Sequence, residues 1–195
     1  GWRVSFDAYY KLAHNLIDEG QFGAPIILSG FNYRRGQVNG YEFSTSYDRG
    51  PLSLYGNFAW SRAIGKDVTS AQFNFDPNDL AYIQNRWVHL DHDQRWTASA
   101  GAAYTLFHQT RFPLRLSATM VYGSGLRADE DVPISVTPGG VIPNGAALKP
   151  YATVNFSAVQ TIHDTFGHRW PGDTQLRLDV TNLSGHTYLL PDGSG

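Results

Sequence analysis

The stretch GYEFSTSYDRGPLSLYGNFAWSRA, residues 40–63, alternates apolar and polar side chains on both sides of a turn at 48–50. At period two, the first half collects apolar side chains on one face: Tyr41, Phe43, Thr45 and Tyr47. The second half does the same with Leu52, Leu54, Phe58 and Trp60. Because only successive strand side chains point to opposite faces, the pattern predicts two β-strands. The three-residue link predicts that they pair as an antiparallel hairpin.

The same alternation recurs along the chain and predicts an all-β fold, an antiparallel up-and-down meander of about seven long strands. The predicted strands span residues 2–11, 32–47, 51–64, 94–107, 112–125, 151–162 and 174–183. Long connections at 12–31, 65–91 and 126–149 alternate with short links at 48–50 and 108–111 and a medium one at 163–173. This partition places the long connections at one end of the sheet. In the second of them, Asp76-Pro77 ahead of Leu80 predicts a short helix.

Composition narrows the class of protein. The chain has 195 residues with 20 Gly, 11 Tyr, 11 Phe and 5 Trp, a profile typical of a β-rich protein. The formal net charge of −2 gives no electrostatic reason to expect a nucleic-acid partner. The absence of Cys excludes a disulfide framework and thiol catalysis. No apolar run approaches the ~18 residues that a membrane helix needs, which leaves membrane barrels open, because their strands expose only alternate residues to lipid.

The strand pattern favours a barrel that separates lipid from a polar interior. Most predicted strands are ten to fourteen residues long, against ~5–6 in soluble proteins. Charged residues fall in mid-strand only on the polar face: Glu42, Arg115, Arg177 and Asp179. An Arg at the centre of the bilayer would cost ~2–4 kcal/mol, so this face is expected to look into a wet interior. Tyr and Trp recur near the predicted strand ends, as the interfacial belts of a barrel require.

The chain resembles the C-terminal part of the β-barrel of TonB-dependent outer-membrane receptors. The similar segments are DAYYKLAHNLID (7–18), NGYEFSTSYDRGPLSLYGNFAWSRA (39–63), LDHDQRWTASAGAAY (90–104), YGSGLR (122–127) and LRLDVTNLSGHTYLLPDGSG (176–195). The resemblance implies a barrel of about 22 strands with a plugged lumen, in the bacterial outer membrane, that imports a scarce nutrient with energy delivered through TonB. The implied partners are outer-membrane lipid, the receptor's own plug domain, the remaining barrel strands, the inner-membrane TonB complex and a small organic ligand such as a siderophore or metal chelate.

The whole chain, 1–195, is accordingly expected to be a partial barrel domain. Neither a plug domain nor a TonB box is recognisable in it, and the family's usual final strand ending in an aromatic residue is expected to be missing. Residues on the polar faces of the predicted strands are then expected to face the lumen or the plug: Glu42, Tyr55, Asn57, Arg115, Asn155, Arg177 and Asp179.

The HLDHD segment, residues 89–93, has the residue types of a transition-metal site. On an extended strand His89, Asp91 and Asp93 could converge while His92 could not, and a structural role at a strand start is the preferred interpretation. The acidic run 129–131 is interpreted as a solvated loop tip rather than a Ca²⁺ site. Neither a nucleophile elbow nor a convincing pair of carboxylates is found, so the sequence predicts no enzyme, no catalytic residue, no metal site and no cofactor.

Ligand contact is expected in the second long connection, where aromatic and polar side chains gather: Phe73, Phe75, Tyr82, Arg86, Trp87 and His89. The alternative is that these aromatic rings pack the loop against itself or anchor it at the lipid headgroups. Two other functions stay open. One is a passive porin-like barrel, which would need neither plug nor TonB box, and the other is a soluble carbohydrate-binding β-sandwich, which would need no detergent.

Overall fold

A computed structural model describes residues 1–22, 27–164 and 172–187. Its strands are β1 Trp2–Phe22, β2 Ile27–Arg49, β3 Leu52–Val68, β4 Trp87–His89, β5 Trp96–Leu106, β6 Leu114–Gly123, β7 Arg127–Asp131, β8 Val141–Ala147, β9 Tyr151–Ile162 and β10 Thr174–Val180. A 3-10 helix, Gln72–Asn74, and the helix α1, Pro77–Ile83, lie between β3 and β4. Within the described ranges, no helix is long and apolar enough to cross a bilayer.

The main sheet is an antiparallel meander in the order β1-β2-β3-β5-β6-β9-β10. The short strand β4 pairs with the end of β3, while β7 and β8 form a separate hairpin. The seven predicted strands and their up-and-down order are therefore confirmed. Strands β1 and β10 are not paired with each other in the described residues, so they form the two open edges of the sheet.

The turn between β2 and β3 is as tight as predicted. Arg49 pairs with Leu52, and Gly50 has a φ of 56°. This left-handed conformation is strained for residues with a Cβ, and glycine adopts it freely. The shortness of the turn fixes the register of the whole β2–β3 pair.

The predicted long connection at 12–31 is wrong. The pair β1–β2 continues as one long hairpin from Trp2–Tyr47 to Phe22–Ile27, and the residues 23–26 between the strands lie outside the described ones. Period-two alternation fails there because of two residues with positive φ, Asn15 of β1 at 53° and Asp67 of β3 at 59°. They lie on either side of Arg34 of β2, at the same level of the sheet. These conformations invert the faces of the strands, so that beyond Asn15 the even-numbered residues of β1 turn to the side that the odd-numbered ones occupy before it.

The other two long connections contain structure of their own. In the first, the predicted helix is confirmed as α1: the Asp76 side chain accepts a hydrogen bond from the backbone N–H of Asn78 at 2.8 Å, and Pro77 begins the helix. In the second, β7 and β8 pair with an irregularity between Ala128 and Glu130. The predicted medium link at 163–173 lies largely outside the described residues, and the last strand ends at Val180 rather than near Leu183.

The buried core lies at this loop-bearing end rather than within the sheet. Its members are Phe31, Tyr33, Ala63, Val68, Ile83, Val88 and Leu90. Leu80, Tyr82 and Phe75 pack against it, so the connection between β3 and β5 is held against the sheet by apolar contact.

Candidate functional site

The register of the strands sorts side chains into one apolar and one polar face across the whole sheet. Phe43 lies opposite Phe6 and Phe58, and Phe58 lies opposite Ala98. The row continues through Tyr122 to Ala152. Large apolar side chains on this face are well exposed: Trp2, Val4, Phe6, Tyr41, Phe43, Phe58, Leu176 and Leu178. A contiguous apolar surface of this extent is a site of contact with a membrane or another protein.

Aromatic rings form a continuous belt on the apolar face near the loop-bearing end. Tyr41 stacks on Phe6 at 6.1 Å and on Trp60 at 5.7 Å between ring centroids. Trp60 lies 6.3 Å from Trp96, and the guanidinium of Arg95 lies 5.7 Å over the Trp60 ring. At the opposite end Trp2 and Tyr47 pack at 4.7 Å. Tyr and Trp concentrate in this way where one end of a ring meets apolar matter and the other meets water.

The polar face carries all seven residues that the sequence assigns to the lumen or plug: Glu42, Tyr55, Asn57, Arg115, Asn155, Arg177 and Asp179. Asn57 donates a hydrogen bond to the Ser99 hydroxyl at 3.0 Å, and Arg177 is 2.7 Å from Asp179. Glu42 and Asp179 are five strand spacings apart along the sheet, a separation on the order of 20 Å. That exceeds the separation of the two carboxylates of a glycosidase.

A concavity of about 360 Å³ opens where β2, β3, β5 and β6 run side by side. Its polar lining is Glu42, Ser44, Asn57, Gln94, Thr97, Ser99 and Tyr151. Two tyrosines of the polar face lie flat against neighbouring strands. A Cβ added at Gly101 would collide with the ring of Tyr55, and one added at Gly40 would meet the ring of Tyr9. Both positions therefore need glycine for the tyrosine rings to pack against the strand backbone.

The six predicted ligand-binding residues differ in their surroundings. Phe75 packs edge-on against Phe31 at 4.9 Å, and Tyr82 also contacts the core. The guanidinium of Arg86 stacks 4.6 Å over the Tyr82 ring. Phe73 is 89% exposed. The packing of Phe75 and Tyr82 agrees with the alternative that these rings hold the loop together, whereas Phe73 and Arg86 are available to a ligand.

The other two predicted residues, Trp87 and His89, lie on β4. Trp87 pairs with Lys66 and lies on the outward face of the sheet. The ring of His89 lies against Asp93, with 2.8 Å between Nδ1 and Oδ2. Burial, followed by the nearby Arg127, lowers the pKa of His89.

Asp93 is the centre of a buried ionic network. Asp93 as a residue is 1% exposed, and its carboxylate accepts a hydrogen bond from the backbone N–H of Ala63 at 2.7 Å. Arg127 and Arg95 approach Oδ2 at 3.2 and 3.7 Å. A buried carboxylate must be paired in this way to be tolerated. The network ties β3, the link before β5 and the start of β7 together, as expected for a structural role of the LDHD segment.

The predicted geometry of the HLDHD segment is wrong because residues 90–95 form a turn rather than a strand. Asp91 and His92 converge on Asp18 of β1, and the ligand atoms of the three side chains lie within 4.8 Å of one another. His92 Nδ1 is 2.8 Å from Asp91 and 3.7 Å from Asp18. Carboxylates and an imidazole are potential metal ligands, while the absence of a metal site stays a prediction.

The cluster of Asp18, Asp91 and His92 lies beyond the apolar band. Its neighbouring charges shift the pKa values of Asp18 and of His92. Asp18 is 9% exposed, and burial, with the charge of Asp91, raises its pKa to about 6. The hydrogen bond to Asp91 raises the pKa of His92. Asp18 escapes sequence reasoning because simple alternation puts it on the outward face. The signal that could have revealed it is the Asn at position 15, a residue type enriched in the left-handed conformation.

The family model described as "TonB dependent receptor-like, beta-barrel" matches residues 1–183. Comparisons with curated proteins and with solved structures gave no match.

Proposed function

The chain belongs to the TonB-dependent receptor-like β-barrel family, and we propose that it forms part of the transmembrane wall of an outer-membrane receptor that imports a small organic ligand. The observation that carries this proposal is the sorting of side chains across seven strands, with apolar rows on one face and polar rows on the other. The family is one of outer-membrane receptors.

The apolar face is proposed to contact lipid. Its aromatic belt near Trp60 and Trp96 and the aromatic pair at Trp2 would lie at the two membrane interfaces. Trp96 and Tyr104 are eight residues apart on β5, which spans about 27 Å along a strand. Tilted by about 35–45° as barrel strands are, this length rises about 20 Å along the membrane normal, which places both rings near the edges of an apolar band of ~25 Å.

The polar face is proposed to line the lumen and to contact the receptor's plug domain. Asn57, Asn155 and Glu42 offer donors and acceptors there, and Arg115 adds a positive charge. Each of these groups would be costly in hydrocarbon but is solvated in a water-filled lumen. Coupling to the inner-membrane TonB complex is proposed from family membership.

Ligand capture is proposed at the loop-bearing end, through Phe73 and Arg86. An exposed aromatic ring and a guanidinium held on Tyr82 suit an organic ligand with anionic groups, such as a siderophore or other metal chelate. The closest test is uptake by cells that lack the gene, complemented with the full-length wild type or with Phe73→Ala/Arg86→Ala. A pair of changes on the far rim, Phe112→Ala/Arg49→Ala, serves as the control.

We expect loss of growth on iron-limited or sugar-limited medium on deletion, rescue by the wild type and the control, and weaker rescue by the loop variant. Rescue should vanish in a strain without TonB. Rescue that does not depend on TonB would instead identify a passive porin. Recovery of the protein in the soluble fraction without detergent would identify a soluble binding module and overturn the proposal.

A further inference from the structure

Basic residues form a row across three neighbouring strands on the outward face. His14 of β1 lies opposite Arg35 of β2, and Arg35 lies opposite Lys66 of β3. Trp87 of β4 continues the row next to Lys66. On β3, Arg62 is on the same face as Lys66 and four residues before it, with Ile64 between the two.

The orientation of this row follows from its glycine neighbours. Gly36 and Gly65 pair with each other and are buried, covered by Leu16 and by the ring of Tyr33 on the inner side. Adjacent strand residues point to opposite faces. Arg35 and Lys66 therefore extend outward, on the same face as the apolar rows.

Within the described part of the chain, none of the three basic residues Arg35, Lys66 and Arg62 forms a direct ion pair, although the charge of Lys66 helps to lower the pKa of the neighbouring Asp67. Arg34, by contrast, forms an ion pair with Asp67. Arg35, Lys66 and Arg62 have no carboxylate within ion-pair distance among the described residues. Like charges directly opposite each other in a sheet are destabilising, so an Arg–Lys pair at this position favours an anion between them.

The level of the row relates it to the membrane surface. On β1, β2 and β3, the outward side chains continue from the apolar rows toward the loop-bearing end. The first charged side chain or histidine after the aromatic belt is basic on each strand: His14, Arg35 and Arg62. The row lies on the loop side of the aromatic belt. Trp87, 41% exposed and in the same row, is a residue type that sits at headgroup level.

We propose that Arg35, Lys66 and Arg62, with His14 beside them, bind the phosphate groups of a lipid headgroup in the outer leaflet. Guanidinium and ammonium groups are the usual partners of phosphate, and juxtamembrane basic residues attract anionic lipids. This inference rests on the proposed membrane orientation of the chain.

The test is binding of lipopolysaccharide by the purified full-length receptor in detergent. The variant Arg35→Gln/Lys66→Gln is compared with the wild type and with the control Lys11→Gln/Arg49→Gln. The control also removes two positive charges, one from the inner face and one from the opposite end of the barrel. Lipopolysaccharide is offered intact or dephosphorylated, and inorganic phosphate is added separately as a competitor.

We expect the double variant to bind intact lipopolysaccharide about 25-fold more weakly, from about fivefold for each basic residue near an anionic surface. The control should bind like the wild type, and dephosphorylated lipid should bind weakly to all three. Equal binding by the wild type and the double variant, or no effect of dephosphorylation, would overturn the inference. Competition by millimolar inorganic phosphate alone would show a free-anion site and also overturn it. All three proteins are first checked for heat-modifiable mobility and outer-membrane fractionation, because failure of the wild type there would refute the proposed function instead.

Discussion

Replacement of Met120 by arginine should disrupt assembly, whereas the same replacement at the adjacent Val121 should be tolerated. The two side chains are similarly exposed in the sheet, at 39% and 42%, and they share strand β6. They differ in face: Met120 lies opposite Ala100 and Val154 in the apolar rows, while Val121 lies opposite Ser99 and Thr153.

The magnitude follows from the depth of Met120. Its partner Ala100 is midway between Trp96 and Tyr104, so Met120 should lie near the centre of the bilayer. A lipid-facing Arg there costs ~2–4 kcal/mol, and 3 kcal/mol corresponds to about 150-fold in the folding equilibrium. At Val121 the guanidinium would reach the lumen and stay hydrated, at a cost of less than about 1 kcal/mol.

The assay is folding of the full-length receptor into lipid vesicles, followed by heat-modifiable gel mobility and by urea titration. The Met120→Arg variant should fold incompletely or unfold at clearly lower urea than the wild type. The Val121→Arg variant should match the wild type within error. Equal urea midpoints for the two variants would refute the assignment of the faces.

Three further predictions concern packing and ionisation. Gly101→Ala should lower the unfolding free energy by about 0.5–1 kcal/mol in urea titration, because its methyl group displaces the half-exposed ring of Tyr55 that covers it. Gly56→Ala, where a Cβ has 3.6 Å to its nearest neighbour, is the control, and equal midpoints would contradict the reasoning. Asp93→Ala should cost about 1–3 kcal/mol of local stability by leaving the partly buried Arg127 and Arg95 without their carboxylate, seen as faster hydrogen exchange at 90–95; unchanged exchange would argue against the network. The same segment should lose protection as pH rises from 5 to 8. Because folding raises the pKa of Asp18 to about 6, the folded state holds a proton that the unfolded state releases, and stability falls as pH rises through this range. Folding also raises the pKa of His92, so the stability that its protonated ring contributes is lost as the ring loses its proton. Asp18→Asn should remove much of this dependence, and a pH profile unchanged in that variant would contradict the role of Asp18.

The part of the fold within the apolar band was predictable because its physics is simple. Between Trp2 and Tyr10, or between Tyr41 and Trp60, each side chain meets one of two environments, so period-two alternation identifies both strand and face. The N-cap of α1 at Asp76 was predictable for a similar local reason, since its side chain bonds to the next turn of backbone.

Beyond the band the sequence is less informative because both sides of the chain meet protein or water. Asn15 inverts the faces of β1, and nothing in simple alternation reports this. The convergence of Asp18 with His92 depends on the turn at 90–95, which brings together residues more than seventy positions apart. Phe75 illustrates a third limit: an aromatic ring in a long connection can serve a ligand or the core, and tertiary packing decides.

The proposed exposure of alternate side chains of the sheet to hydrocarbon and to water is tested most directly by spin labels on β6. Because these 195 residues contain no Cys, single cysteines can be introduced at positions 117–122 of the full-length receptor without removing any native Cys of this chain. In lipid vesicles, labels at 118, 120 and 122 should collide mainly with oxygen, which concentrates in the bilayer. Labels at 117, 119 and 121 should collide mainly with a water-soluble nickel chelate. Collision rates with no period of two, or nickel access at all six positions, would contradict the account.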